Sequence, residues 1–343
     1  MIINGGPVST GIGSWPGTDL TDALKIAFAE CPDLPFLPEL PARGPAAALV
    51  GRGTALLPGL GIDLTAAGWR LTDVSSRDHR RAIATLRSDL DQLEEVAQGY
   101  QGPVKISVAG PWTLAASLEH PRGDKVLQDS GARRDVAQSQ QQGVADLVAE
   151  LTRRLPELTT IIQLDEPLLP AVLAGGIATA SGLHRHRAID VPEASTVYSR
   201  LVEHLGGTAV IVHCCAPGAP VEMLAGAGIA GVGLDLSLLG TPDWDALGAA
   251  MEQGMWLAAG ALPTADPAPG VSAFPIKTTL PTPDQVADAV LAPIRRLGLP
   301  PEVSAHTIVT PACGLAGFRR EAAVAALRTV RKAASILGEG IHD

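Results

Sequence analysis

The run VIVHCCAPG places His213, Cys214 and Cys215 at the end of an apolar stretch, in a chain with only four cysteines among 343 residues. Imidazole and thiolate are preferred zinc ligands, and a catalytic zinc keeps one tetrahedral position for water or substrate. A strand puts residues i and i+2 on one face, so His213 and Cys215 are expected to point together and Cys214 away. Taken alone, the spacing suits two small buried apolar residues equally well. Two further ligand types end other apolar runs: Asp235 in GLDLS and Cys313 in TPACG. A fold that gathers those ends makes a metal centre of His213, Cys215, Asp235 and Cys313 the stronger reading, with zinc its natural occupant.

A (β/α)8 barrel gathers strand ends in this way. Short β-branched runs predict strands near Thr10–Gly13, Pro35–Pro38, Val104–Val108, Thr160–Leu164, Ala209–His213, Gly231–Leu234, Trp256–Ala259 and Thr307–Thr310. Helical patterns lie between them over Asp19–Ala29 (capped by Thr18), Asp78–Tyr100, Ala132–Arg154, Pro192–Leu205, Val221–Ala227, Asp243–Gln253, Pro283–Leu297 and Arg319–Leu337. Runs such as TAVIVH, apolar without alternation, suit a parallel sheet covered on both faces. The pattern predicts an α/β protein, one (β/α)8 TIM barrel over residues 1–343, with its chemistry at the C-terminal strand ends. An open doubly wound sheet is the competing architecture, and the chain lacks the Gly-rich signatures that favour it. Residues 39–75 carry no clear pattern, and Thr264–Pro283, the longest irregular stretch, reads as a loop over the site.

Composition narrows the partners. A formal charge of −10 argues against nucleic acid, which needs clustered Lys and Arg. No apolar run approaches the length of a membrane span, and the N-terminus carries no signal-like segment, so a cytoplasmic location with reduced cysteines is expected.

The pieces GIGSWPGT, GPWTLA, QLDEP, HCC and PACGL, in that order, resemble the catalytic barrel of the cobalamin-independent methionine synthase family, within the wider uroporphyrinogen decarboxylase-like group of barrels. The resemblance implies a zinc-dependent S-methyltransferase of methionine biosynthesis, of the 5-methyltetrahydropteroyltriglutamate–homocysteine type. It assigns zinc to His213, Cys215 and Cys313, with Asp235 where the family usually has Glu. It implies that zinc holds the thiol of homocysteine as a thiolate. It places recognition of the amino acid end on Ser14, Glu39 and Asp165, and a carboxylate does suit an ammonium group. Glu166 is expected to point away from the site.

The chain departs from the family on the donor side. Where the family stacks a tryptophan on the pterin this sequence has Ser117, and Leu262 replaces its general-acid histidine. Folate leaves poorly without an acid. The methyl donor is therefore methyltetrahydrofolate or a methyl-corrinoid, the latter on a partner protein, and Trp112 offers an alternative stacking surface. Two other readings stay open: alkyl transfer to another thiol such as coenzyme M, and a non-catalytic zinc-binding barrel. His184 and His186 in LHRHR read as a solvated basic segment, and His306 as a residue at the wrong end of a barrel for catalysis.

Overall fold

The protein is described by a computed structural model over residues 6–264 and 280–342. The strands are β1 (Val8–Ser9), β2 (Gly61–Thr65), β3 (Gly68–Thr72), β4 (Gly102–Ala109), β5 (Leu158–Asp165), β6 (Ala209–Cys214), β7 (Gly231–Asp235), β8 (Trp256–Leu262) and β9 (Thr307–Pro311). Seven of them form one parallel sheet in the order β1-β9-β8-β7-β6-β5-β4. The stretch Pro35–Glu39 joins its two edges. Lys105 N–H donates to the Pro35 carbonyl at 2.9 Å and Leu37 N–H to the Lys105 carbonyl at 3.0 Å. On the other side, Trp15 N–H donates to the Glu39 carbonyl at 2.7 Å and Glu39 N–H to the Gly13 carbonyl at 3.0 Å. The wall thus curls into the expected barrel, with eight segments around it.

The two N-terminal segments are looser than predicted. Regular pairing of the first is confined to Val8–Ser9, and the second makes only isolated bridges at Phe36 and Glu39. Past Ser9 the first segment passes close to the second: a Cβ at Gly11 would lie 2.4 Å from the Phe36 ring, so only glycine fits there.

Long helices cover the outside, including Leu20–Glu30, Arg77–Val96, Ser130–Arg154, Val191–His204 and Arg320–His342. The first is capped by Asp19, whose carboxylate accepts from Asp22 N–H at 3.0 Å, and not by Thr18. Residues 39–75, unassigned from sequence, supply a short helix (Leu49–Thr54) and the antiparallel hairpin β2–β3. Of the stretch Thr264–Pro283, residues 265–279 lie outside the described residues. Among the described residues no helix is long and apolar enough to cross a membrane.

The alternation along each strand decides what the barrel encloses. Val8, Ile161, Ile211, Ala258 and Ile308 pack together as a small apolar floor. Two residues further along the same strand faces come Gln163 and His213, then Asp165 and Cys215. The interior therefore changes from apolar to polar toward the C-terminal strand ends.

Candidate active site at the barrel mouth

His213 ends the inward face of β6, and Cys215 follows just past the strand. Gly233 on β7 makes room for the imidazole: a Cβ there would stand 3.3 Å from His213 Cδ2. Cys313 lies two residues beyond β9. Its Sγ is 3.4 Å from that of Cys215, and the ligand atoms of His213, Cys215 and Cys313 all fall within 4.8 Å of one another. Cys214 faces the other way. It is buried, its thiol reaches the Ala216 carbonyl at 3.7 Å, and burial pushes it up to about 11. The two inward thiols share a proton across this contact, which holds one of them down and pushes the other up, and the neighbouring His213 favours a charged sulfur at Cys313.

Two thiolates placed tetrahedrally on zinc sit roughly 3.8 Å apart, given Zn–S bonds of about 2.3 Å. The observed sulfur spacing fits that arrangement with little adjustment. His213 fits as well. Its Nδ1 lies 3.1 Å from Asp165 Oδ1, the carboxylate partner that metal-bound histidines commonly have. Its Nε2 lies 3.3 Å from the Ala312 carbonyl, so with the proton on Nδ1 a lone pair faces a second acceptor, a place suited to a cation.

The fourth expected ligand stands apart. Asp235 ends β7, but its Oδ1 accepts from Ser237 N–H at 3.0 Å and from the Ser237 hydroxyl at 2.6 Å, capping the turn Leu236–Leu238. A carboxylate one methylene shorter than Glu is held by its own turn, and the structure does not bring it into the group.

The three residues expected at the amino acid end do converge. Glu39 is 3% exposed, with its Oε1 3.6 Å from Arg52 Nε and without a hydrogen-bond partner among the described residues. Burial raises its carboxyl to about 7, against the pull of Arg52, and Asp165 pushes in the same direction as burial. The two carboxylates therefore feel one another. Asp165 takes the Gln163 amide on the same Oδ1 that meets His213. Ser14 pairs with Glu39 and packs against Gly314, where a Cβ would meet its hydroxyl at 1.9 Å. Leu315 N–H donates to the Ser14 carbonyl at 2.8 Å, tying this segment to the cysteine loop.

Several residues around the site escaped sequence reasoning. Lys105 is fully buried on β4, with Nζ 2.6 Å from both the Ile12 carbonyl and Gln163 Oε1. A lysine inside the apolar run VKISV was the available signal, since a buried ammonium needs partners. Arg52 donates to Asp89 at 2.6 Å, and Asp89 also takes both terminal nitrogens of Arg43 at 2.7 and 2.8 Å. Glu166 does point away from Asp165. Its carboxylate accepts from Trp112 N–H, Thr113 N–H, the Thr113 hydroxyl and the Tyr198 hydroxyl, at 2.7–3.0 Å, and so caps the helix Pro111–Ser117.

Leu262 is fully buried at the end of β8, and Ala312 N–H donates to its carbonyl at 2.8 Å. Trp112 is 2% exposed and lies beside the helix Ser130–Arg154, where with Arg133 and Val197 it lines a cavity. The segment LHRHR is exposed as expected except at His186, which is buried and 2.8 Å from Asp124, tying two mouth loops together. His306 stacks on Trp256 with centroids 4.9 Å apart, ahead of β9.

Fold and site together define a parallel α/β barrel with a sulfur–imidazole cluster at its catalytic end. Residues 103–336 match the family model described as the cobalamin-independent synthase catalytic domain, and the chain belongs to that family. Its members of the methionine synthase type are methyltransferases. Among solved structures, the fold matches a B12-independent methionine synthase from Shewanella sp. W3-18-1, in complex with selenomethionine, at TM-score 0.63 and 14% identity, over 98% of this chain and 99% of that one. A protein assigned as an α-L-fucosidase from Bacteroides thetaiotaomicron matches at TM-score 0.43 and 11% identity over 98% of each chain. Comparison with curated proteins found no match.

Proposed function

We propose that the protein transfers a methyl group to the thiol of homocysteine, forming methionine. The observation that carries this reading is the juxtaposition of His213, Cys215 and Cys313 with two carboxylates, one bearing a buried oxygen without a partner. His213, Cys215 and Cys313 would hold zinc as three protein ligands, leaving the fourth position to the acceptor thiol. Zinc, when bound, would supply the Lewis acidity that keeps that thiol ionised at neutral pH.

The remaining roles belong to the chain. Glu39 and Asp165 take the substrate ammonium, and Glu39 Oε1 gains the hydrogen bond it lacks. The Ser14 hydroxyl meets the substrate carboxylate. These contacts fix the sulfur in line with the methyl carbon, which is worth several kcal/mol in avoided reorientation. The S–CH3 bond forms as the donor–methyl bond breaks, and the bonding electrons leave with the donor. Among the described residues, Leu262 at the end of β8 offers that donor no proton. A donor whose leaving group needs no proton, such as a methyl-corrinoid, suits this wall better than methyltetrahydrofolate.

The same two carboxylates weigh against a sulfonate thiol such as coenzyme M, because they repel its anionic end. Thermal shift of the zinc-loaded protein separates the acceptors: homocysteine is expected to raise Tm and coenzyme M to leave it unchanged. A response to coenzyme M alone overturns the acceptor assignment, and no response to either supports a non-catalytic zinc barrel. Methyl transfer compared between methylcobalamin and methyltetrahydrofolate then tests the donor.

A further inference from the structure

Lys105 lies inside the barrel, below the cluster, and touches none of its ligands. Its three nearest polar atoms are the Ile12 carbonyl (2.6 Å), Gln163 Oε1 (2.6 Å) and Ser107 Oγ (3.3 Å). The Ser107 hydroxyl proton is already given to the Ile12 carbonyl at 2.7 Å, so Ser107 can only accept from Lys105. Three acceptors thus surround a group that has three protons and no lone pair as an ammonium.

This fixes Gln163. With Oε1 held by Lys105, the amide nitrogen must face the other way, and it donates to the Ile12 carbonyl at 2.9 Å and to Asp165 Oδ1 at 2.7 Å. A flipped amide would set NH2 against the ammonium and oxygen against both acceptors, losing every bond. Asp165, as a carboxylate, only accepts. The 3.1 Å contact between Asp165 Oδ1 and His213 Nδ1 therefore needs the proton on Nδ1. Nε2 keeps the lone pair.

We infer that Lys105 and Gln163 are positioning residues that set the tautomer of His213, through the directed chain Lys105→Gln163→Asp165←His213, so that Nε2 is presented to a metal. The inference rests on the metal role proposed above. It accounts for a lysine enclosed in the barrel, where an apolar residue would avoid the desolvation of an ammonium. Direction, and not proximity alone, is what the chain transmits: each donor proton has one place to go.

Two variants and two readouts test it. Lys105→Met removes the source of the chain. Gln163→Glu keeps an acceptor for Lys105, now as an ion pair, so the interior stays satisfied on that side, but it turns an acceptor toward Asp165. The first readout is zinc affinity by chelator competition, with far-UV circular dichroism confirming the fold. Both variants are expected to bind zinc roughly 10- to 100-fold more weakly than wild type, the range seen when a partner behind a metal ligand is lost. The second is 15N NMR of the His213 ring in metal-free protein, at a pH where the ring is neutral. The wild type is expected to show protonated Nδ1, and Gln163→Glu a mixture of tautomers. Unchanged affinity and an unchanged tautomer in Gln163→Glu overturn the inference. If wild type itself takes up no zinc, the metal reading fails, and the NMR comparison still decides the chain of bonds.

Discussion

The inner and outer faces of the barrel wall carry similar residues with opposite fates, and two pairs of sequence neighbours show the difference. Asp165 and Glu166 are adjacent carboxylates. Asp165 turns inward to His213 and the mouth, whereas Glu166 turns outward and is taken up by three donors at a helix start and the Tyr198 hydroxyl. Cys214 and Cys215 are adjacent thiols. The outer one is buried in packing, and the inner one lies 3.4 Å from Cys313. Residue type therefore does not mark function here; the face does, and strand geometry assigns the face. At these two pairs the inner residue is left open to the mouth, and the outer one is taken up by packing or by donors of the covering helices.

The cysteines give the sharpest way to break this contrast. Metal analysis is expected to find one zinc per chain in wild type and in Cys214→Ala, and almost none in Cys215→Ser or Cys313→Ser. Loss of metal in Cys214→Ala would abolish the distinction between faces. The carboxylates come next. Glu166→Gln puts an amide NH2 among donors and is expected to lower unfolding stability by about 1–3 kcal/mol in urea while zinc content holds. Asp165→Asn is expected to lower stability less and to weaken homocysteine binding more, measured by isothermal titration. A reversed ranking would move Asp165 into the scaffold.

The smallest effect is one of pH. Burial raises Glu39 to about 7, so between the ordinary carboxylate range and 7 the folded protein holds a proton that the unfolded chain has shed. Its contribution to stability is thus present at low pH and lost as pH rises through 7. Substrate recognition runs the opposite way, because only the ionised form attracts an ammonium. KM for homocysteine is expected to rise by up to about tenfold per pH unit below 7, and Glu39→Gln to flatten that rise. A wild-type KM independent of pH between 6 and 8 would remove Glu39 from the binding site.

Much of this was legible in the sequence, for reasons of burial. Strands covered on both faces read as continuous apolar runs, so six of the eight wall segments stand close to their predicted positions. His213, Cys215 and Cys313 were legible because soft ligands are rare in the chain and each ends such a run. The hairpin β2–β3 was missed although GIDLT and GWRLT alternate on either side of the two-residue turn at Ala66 and Ala67, with Gly68 at φ +133° opening the second strand. The turn that Asp235 caps was not legible, because it depends on where Ser237 falls after the strand. The Arg43–Asp89–Arg52 cluster was invisible for another reason. Its members come from separate segments and meet only when the fold closes.

The central claim is that three protein ligands leave a fourth place for the substrate thiol. Zinc K-edge X-ray absorption tests it directly on the zinc-loaded protein, before and after homocysteine. The account predicts two sulfur ligands in the free protein and three with homocysteine bound. A count that stays at two with homocysteine present would contradict it.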